Sequence, residues 1–534
     1  MTVLRRHRLE SLIFVGVFGL CAYFYNGYGW NQTARYDAIW AFVEPGEHRY
    51  SFAIDDFITD PVRRVNTGDY ARNPEQSPHY YSNKAPGSSL LGIPAYFALY
   101  HGERMLGLDP VSPRGVLVNA YLIHLWVTVL PVAVSAVFFF GLALRFTRRR
   151  RRALLLTGLL YGGTLMLPFS TMLWGHTTAA AFAVMALAFF MRSGRSAAML
   201  SGLFVGLAVL TDYGAAPLAA TLALAALAMD ARRERLPALV LGGLGPLVVF
   251  AAYHWALFGS PFTLASSFSP AEMIADERVF GLFGRIDPVA VWGLTVSSTR
   301  GLFFYMPVLV LSLYALRFIR LRNPAPDHVA FWWLAAANML LIFLINTTFN
   351  GWHGGFSTGP RYQIIALPFY VLALALLPER RWVRNGLWTL AGISFVNMFV
   401  AAAISPVAPD AIRSSPLLFC YDRIWRVLSV DLGIDPAPVA GSLSRASLHI
   451  YPMYAMRDLP IALEDPLVQR WVSFNLGERL LGLRGTLSLL PALLGAVGIG
   501  LWATRLAGGQ DMGTDSGGGD SDTSGRDTRD ARDT

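Results

Sequence analysis

Apolar stretches of about 17 to 25 residues recur along the whole chain and are separated by polar segments. A helix of that length crosses a hydrocarbon core roughly 30 Å thick. The pattern therefore predicts an all-α polytopic membrane protein, a bundle of about twelve membrane-spanning helices with long external loops. The predicted spans are residues 11–29, 116–145, 153–170, 175–192, 196–211, 214–229, 236–257, 301–318, 329–347, 362–378, 385–404 and 484–503.

Arginines between the predicted spans give the bundle one orientation. If the spans alternate from a cytoplasmic N-terminus, the six cytoplasmic segments contain 20 arginines. Because an excess of Lys and Arg marks cytoplasmic loops, charge and hydropathy together predict that both termini are cytoplasmic. The arginines are Arg5, Arg6, Arg8, Arg145, Arg148–Arg152, Arg192, Arg195, Arg232, Arg233, Arg235, Arg317, Arg320, Arg322, Arg380, Arg381 and Arg384.

Three long segments lie outside in this topology. The predicted organisation is a module at 1–380 that carries the candidate site, and a C-terminal membrane region at 381–507. Residues 508–534 mix Gly, Ser, Thr and Asp without apolar periodicity, so they cannot bury enough surface to fold. We expect them to form a disordered cytoplasmic tail. The external segments are residues 30–115, 258–300 and 405–483.

Composition excludes a water-soluble enzyme. Hydrophobic residues make up 54% of the 534 residues and charged residues only 15%, whereas soluble proteins carry about 25% charged residues. The net charge of +9 would suit a nucleic-acid partner, but the basic residues lie between membrane spans, so no such partner is expected. The two cysteines, Cys21 and Cys420, offer no metal-ligand spacing.

The first external segment carries a cluster of carboxylates. Asp37, Asp55, Asp56 and Asp69 all lie between the first two predicted spans. Such a loop could hold a reaction centre at the level of the lipid headgroups. The alternative is a solvated loop that only connects two spans.

Lys84 is the only lysine among the 44 basic residues. Lysine offers a compact ammonium and arginine a wide planar fork, so the two are not interchangeable at a tight anionic site. Phosphate is the natural anion beside a membrane. We therefore identify Lys84 as a candidate phosphate ligand and the nearby Tyr81 as a candidate substrate contact. The alternative is chance retention of one lysine codon.

A glycine-rich external segment precedes Arg361. Four glycines and a proline between residues 350 and 362 let the backbone approach a ligand closely. Arg361 begins the next span, where helix N-terminal amides favour an anion. Trp352, His353 and, at the outer end of another span, His176 are further candidate substrate contacts, and His176 could also be a ligand or a base. The alternatives are a flexible turn with a snorkelling arginine and a structural histidine.

Seven short motifs follow one another on one predicted side of the membrane. They are Ile54-Asp55, Thr67-Gly68-Asp69, Tyr81-Ser82-Asn83-Lys84-Ala85-Pro86-Gly87, Gly175-His176, Phe258-Gly259-Ser260-Pro261, Arg300-Gly301-Leu302-Phe303-Phe304, and Gly354-Gly355 through Gly359-Pro360-Arg361. Together they resemble the bacterial integral-membrane glycosyltransferases of the GT-C fold, related to protein O-mannosyltransferases and lipid A aminoarabinose transferases. The resemblance extends over most of residues 1–380.

The resemblance implies an enzyme that moves a sugar from a polyprenyl-phosphate carrier at the outer leaflet to an acceptor hydroxyl. It implies an acidic base in the first external loop, and Lys84 matches a lysine that contacts the carrier phosphate. The Asp-Glu pair that protein mannosyltransferases carry after the first helix is Asn31-Gln32 here, and an amide cannot act as a base. The candidate bases are then Asp55, which we favour, Asp69 second, and Asp37 and Asp56.

The predicted chemistry divides between a base and a phosphate site. A positioned base contributes roughly 10²- to 10⁴-fold, and Lys84 with Arg361 would stabilise the leaving phosphate. A single displacement inverts the anomeric carbon, which is the outcome inherited from the fold. No strict ligand spacing indicates a metal, and the side chains considered for a divalent cation are Asp55, Asp56 and His176.

Two other functions fit a chain of this kind, a secondary transporter and a non-catalytic binder of lipid-linked sugars. Transporters tend to show internal repeats and ionisable residues near the bilayer midplane. Here no repeat is visible, and the singled-out polar residues gather at the outer ends of the predicted spans. The arginine bias is typical of a bacterium with a GC-rich genome, so we expect a bacterial plasma membrane. The sequence does not specify the sugar or whether the acceptor is a protein, a lipid or a polysaccharide.

Overall fold

The protein is described here from a computed structural model, which covers residues 7–27, 29–58, 67–229, 233–270, 278–279, 282–322, 326–355, 357–407, 415–434 and 474–515. In these residues helices dominate, and the four named strands are two residues long each. The prediction of an all-α helical bundle is therefore confirmed. The predicted external segment 405–483 lies mostly outside the described residues.

The first external segment is not an open loop, because two long helices form within it. One begins at Trp30 and the other directly after Pro86, whose fixed φ suits a helix start. In chain order the elements are α1 Arg8–Tyr23, β1 Phe24–Tyr25, α2 Trp30–Val43, α3 Asp55–Ile58, β2 Tyr70–Ala71, β3 Tyr81–Ser82, α4 Gly87–Met105, α5 Pro113–His124, the π-helical turn Leu125–Val129 and α6 Leu130–Thr147.

The middle of the chain consists of apolar helices joined by short turns. The predicted span 153–170 is interrupted after Gly162 by a short non-helical turn. The elements are α7 Arg150–Gly162, α8 Met166–Phe169, α9 Gly175–Phe190, α10 Arg195–Thr211, the 3₁₀ turn Tyr213–Ala215, α11 Ala216–Ala228, α12 Leu236–Phe258, the 3₁₀ turn Ala265–Phe268 and α13 Pro288–Thr295.

The last third alternates α-helices with 3₁₀ turns and ends in a long helix. The elements are α14 Leu302–Tyr305, 3₁₀ Pro307–Leu309, α15 Val310–Ala315, 3₁₀ Leu316–Phe318, α16 Ile319–Arg322, α17 Pro326–Thr348, 3₁₀ Arg361–Ala366, α18 Leu367–Ala373, 3₁₀ Leu374–Leu376, α19 Arg381–Ile404, α20 Pro416–Asp431, β4 Phe474–Asn475, α21 Leu476–Leu481, 3₁₀ Gly485–Leu489 and α22 Leu490–Asp515. Helix α22 thus continues into the predicted tail 508–534, which is a correction for residues 508–515. The rest of that tail lies outside the described residues.

Five described helical stretches are long and apolar enough to cross a membrane, and four apolar helices are shorter. Large apolar side chains are exposed on the long ones, such as Val248 on α12 and Leu494 on α22, as expected of surfaces that face lipid. The predicted total of about twelve crossings stays a prediction. The five stretches are Pro113–Thr147, Leu236–Phe258, His328–Thr348, Arg381–Ile404 and Gly485–Gly508, and the shorter helices are Gly175–Phe190, Arg195–Thr211, Tyr213–Ala228 and Arg361–Leu376.

The two ends of the described chain pack together. Helix α1 lies against α22, and β1 pairs antiparallel with β4. One apolar core contains residues from Leu9 to Ala507. Residues on both sides of the boundary predicted at residue 380 therefore pack in the same core.

The arginine-rich ends of several helices also meet one another. Arg149 lies 2.7 Å from Glu379, and Arg152 donates to the carbonyl oxygens of Leu374 and Leu377. These contacts join the turn before α7 to the turn after α18. In α9 and α10, His176 and Asp212 lie at the helix ends that are farthest along the chain from Arg192 and Arg195, at the connection between the two helices.

Candidate active site

A cavity of about 190 Å³ lies where the ends of α9, α10 and α17 meet the first external segment. Helix α9 is buried along nearly its whole length, so its first turn is held firmly at the centre of the bundle. The aromatic and apolar part of the wall includes Phe283, Ile342, Phe349 and Tyr362. The polar part includes Asn31, Arg35, Asn83, Lys84, His176 and Asp212.

Lys84 enters the cavity from the turn between β3 and α4. Its ammonium nitrogen lies 3.0 Å from a carboxylate oxygen of Asp69, and the two side chains are 18% and 16% exposed. The pairing of β2 with β3, continued by the Asn83 amide bonded to the Asp69 carbonyl at 3.2 Å, sets this distance. Burial lowers the pKa of Lys84, Asp69 opposes that shift, and Arg361 adds to it.

Arg35 brings a second positive charge to the cavity from the buried helix α2. Its guanidinium donates to the Asn31 carbonyl oxygen at 2.6 Å and also to the Asn31 side chain. The Arg35 Nε has no hydrogen-bond partner among the described residues. Burial lowers the pKa of Arg35 to about 10, although Asp212 and Asp69 work in the other direction. Arg35 is therefore positively charged at neutral pH. The carboxylates of Asp212 and Asp69 offset only part of that charge.

His176 and Asp212 form a hydrogen-bonded pair at the cavity wall. His176 Nδ1 contacts one carboxylate oxygen of Asp212, and the other oxygen accepts the Gly214 amide at 2.9 Å. His176 Nε2 is buried and has no partner among the described residues. Burial raises the pKa of Asp212, but His176, the Gly214 amide and Arg35 outweigh it and leave the pKa below its ordinary value. Since the ionised carboxylate accepts from Nδ1–H, Nε2 carries the lone pair.

Arg361 lies behind the wall of the cavity rather than on it. Its guanidinium stacks over Trp174 at 4.5 Å and over Tyr362 at 4.9 Å, and it donates to the Tyr362 hydroxyl at 2.9 Å. Gly354, at φ +75°, leaves room for the arginine, since a Cβ there would lie 3.1 Å from Arg361 Nε. Arg361 thus acts on the cavity through its charge and by orienting Tyr362.

The other predicted site residues do not line the cavity. Asp55 accepts the Tyr80 amide at 3.3 Å and faces His79, and Asp56 is exposed at the start of α3. Asp37 is fully buried within α2. Tyr81 bonds Ser77 and packs on Phe258, Trp352 lies against Gly293, and His353 accepts the Gly355 amide.

Asp212 and Arg35 were not among the residues predicted for the site. A signal for Asp212 was present, since it is a charged residue placed directly between two apolar spans. Arg35 lies five residues after Trp30, in a segment whose sequence is typical of a polar loop. The side chain is buried because this segment forms helix α2. Their roles depend on contacts between distant segments, which no local pattern contains.

Gly87 fixes how closely the Lys84 turn approaches helix α10. A Cβ at this position would lie 2.6 Å from Thr211 Oγ1 and 2.7 Å from the Leu210 carbonyl oxygen. We therefore expect Gly87→Ala to destabilise the protein by about 1–3 kcal/mol through overpacking. Gly102→Ala in the same helix α4 is the matched control, because a Cβ there meets nothing within 4 Å. Thermal unfolding in detergent compares the two, and an equal melting temperature for both variants would contradict this close approach.

The chain is similar to two crystal structures of ArnT from Cupriavidus metallidurans. The structure bound to undecaprenyl phosphate has 15% sequence identity and a TM-score of 0.43, and the match covers 96% of this chain and 78% of that chain. The apo structure has 16% identity and a TM-score of 0.38, with coverage of 96% and 75%. No protein-family model and no curated protein matches the chain.

ArnT is a GT-C lipid A aminoarabinose transferase.

Proposed function

We propose that the chain is an integral-membrane glycosyltransferase that takes a sugar from a polyprenyl-phosphate carrier and passes it to an acceptor hydroxyl. One observation carries this proposal. A single cavity brings a buried cluster of cations together with a histidine–aspartate pair. A phosphate leaving group needs the first of these, and a hydroxyl nucleophile needs the second.

The charges around the cavity suit a phosphodiester. Lys84, Arg35 and Arg361 supply three positive charges, and Asp69 and Asp212 supply two negative ones. With His176 neutral, one positive charge is left over among these described groups. A sugar joined to a polyprenyl phosphate carries one negative charge, which this surplus balances. The charge that develops on the phosphate as the sugar leaves is then stabilised by Lys84 and Arg35, with Arg361 acting from behind.

His176 is the proposed general base. Its Nε2 is free of protein partners within the described part of the chain, so it can accept the proton of a hydroxyl. Asp212 holds the ring and favours the imidazolium that forms. Asp69 is less suitable because one of its carboxylate oxygens is held in the ion pair with Lys84. Asp55 is not part of the cavity wall.

Attack by the acceptor on the side opposite the phosphate would proceed in a single displacement. The cavity contains a base and a cation cluster but no carboxylate in a free position for a covalent glycosyl intermediate, since each of the two carboxylates described around it is engaged with a cation or a histidine. The expected product therefore has the inverted anomeric configuration.

The carrier chain would leave the cavity beside α17. Ile342 and Ile345 lie three residues apart on that helix and both line the cavity, and Ile345 is 39% exposed at the bundle surface. An apolar path thus connects the cations with the lipid-facing surface. The basic ends of the helices lie opposite the cavity, so the positive-inside rule directs the cavity to the outer face of a bacterial plasma membrane.

Undecaprenyl phosphate is the probe that tests the donor site. We expect the purified chain to bind it at least about 100-fold more tightly than undecaprenol, which lacks the phosphate, because losing a charged partner of a buried site costs about 3 kcal/mol. Binding should also weaken at alkaline pH. The phosphate is fully ionised there, since its second pKa is about 6, whereas burial lowers the pKa of Lys84, so this lysine loses its proton at a lower pH than an ordinary lysine does.

Equal binding of the phosphate and the alcohol would contradict the donor site. So would an affinity that is independent of alkaline pH in the native chain and unchanged in Lys84→Met. A non-catalytic binder would pass this test as well, so turnover must be measured separately.

A further inference from the structure

A second cluster of reactive side chains lies outside the cavity, on the first external segment. The ligand-type atoms of His48, Asp55 and His79 all lie within 4.8 Å of one another. His79 Nδ1 is 3.6 Å from an Asp55 oxygen, and the rings of His48 and His79 have centroids 4.6 Å apart. Two imidazoles and one carboxylate thus face a common point.

Hydrogen bonding within the cluster does not explain this arrangement. The distance of 3.6 Å between His79 and Asp55 exceeds that of an N–H···O hydrogen bond. Neither imidazole makes a side-chain hydrogen bond with another residue that the structure describes. The two half-buried imidazoles therefore offer ring nitrogens that can ligate a cation together with Asp55.

The backbone holds the three ligands from two sides. The Ile54 amide donates to the Tyr80 carbonyl oxygen at 2.8 Å, and the Tyr80 amide donates back to the second Asp55 oxygen at 3.3 Å. This exchange fixes Asp55 beside His79. The His48 carbonyl oxygen accepts the Ser51 amide at 3.0 Å, and that turn brings His48 back toward them.

We propose that His48, Asp55 and His79 bind one divalent transition-metal ion, with Zn²⁺ as the preferred ion. Two histidine nitrogens and one carboxylate oxygen form a common zinc set that leaves a fourth position for water. The His79 and Asp55 side chains are 37% and 26% exposed, so the ion can enter from solvent. From the sequence, Asp55, Asp56 and His176 were considered as ligands of a divalent cation. Of these three, only Asp55 belongs to this cluster, and the other two ligands are His48 and His79.

The bound ion would restrict the movement of the segment that contains Lys84. His79 is five residues before Lys84, and β3 lies between them. A metal clamp between residues 48–55 and His79 therefore restrains the start of that strand. The inference does not depend on the proposed transferase activity, because none of the three ligands lines the cavity.

Zinc binding to the full-length chain tests the proposal. The protein is purified with a tag that contains no histidine, stripped with a chelator, and titrated with Zn²⁺, and bound metal is measured by mass spectrometry. We expect about one zinc per native chain and at least about 100-fold weaker binding in the His48→Ala, His79→Ala double variant. His101→Ala is the matched control, since this histidine of the same segment packs against the rings of Phe97 and Tyr100 instead.

Asp55→Asn provides a second variant, because it removes the charge but keeps an acceptor for the Tyr80 amide. It should bind zinc more weakly and lose the rise in melting temperature that zinc gives the native chain. Lys84→Met should bind zinc normally, which separates this site from the donor site. A native chain that binds no zinc, or variants that bind it as tightly as His101→Ala, would overturn the proposal.

Discussion

Replacing Lys84 with methionine is expected to lower kcat/KM for sugar transfer by about 10²- to 10³-fold, the loss seen when one fixed donor to a developing negative charge is removed. Methionine keeps the length and apolar stem of lysine and removes only the charge. The ammonium is held 3.0 Å from Asp69 in a mostly buried position, so no solvent cation can replace it. Because stabilisation grows as the phosphate leaves, kcat should fall more than KM rises.

Arg104→Ala is the control for this prediction. Arg104 is an exposed cation in the last turn of α4, the helix that follows Lys84, and its loss should change kcat/KM by less than about threefold. Lys84→Arg should recover only part of the activity, because the planar fork does not fit the space that a compact ammonium fills. A Lys84→Met variant with native kcat/KM would exclude this lysine from the phosphate site.

Replacing His176 with alanine should lower kcat by about 10²- to 10⁴-fold, as expected for loss of a positioned general base. Asp212→Asn should have a smaller effect in the same direction, since it disturbs the ring that Asp212 orients. Because the two residues act as one unit, the double variant should be little worse than His176→Ala alone. In the native chain, activity should fall at acidic pH as His176 becomes protonated.

The pH profile distinguishes a base from a structural histidine. If His176 only supports the fold, His176→Ala will keep the acidic fall in activity while losing stability. If it is the base, the variant will retain undecaprenyl phosphate binding and lose the acidic fall. His254→Ala serves as the control, because this histidine bonds Tyr213 and the Phe250 carbonyl oxygen at the edge of the same region.

Hydropathy and charge were sufficient to predict the helical bundle. Each predicted span coincides at least in part with helix in the described residues, because long apolar runs and arginine-rich turns are local features. Lys84, His176 and Arg361 also stood out in the sequence, by residue type or by position at a span end. All three lie on or directly behind the cavity wall.

Partners from distant segments could not be predicted in the same way. Lys84 meets Asp69 because two short strands pair, and His176 meets Asp212 because α9 and α10 pack side by side. Asp55 was favoured as the base because it is an acidic residue in the expected loop. The fold instead turns it toward His48 and His79, and no spacing in the sequence distinguishes these two environments.

Mass spectrometry of carrier lipids tests the central claim most directly. Lipid extracts are compared from cells that lack the protein and from the same cells complemented with the native chain, Arg104→Ala or Lys84→Met. We predict that a polyprenyl-phosphate sugar accumulates without the protein and with Lys84→Met, and clears with the native chain and Arg104→Ala. The mass of that lipid would identify its sugar. Carrier lipids that are the same in all four strains would contradict the proposed transferase.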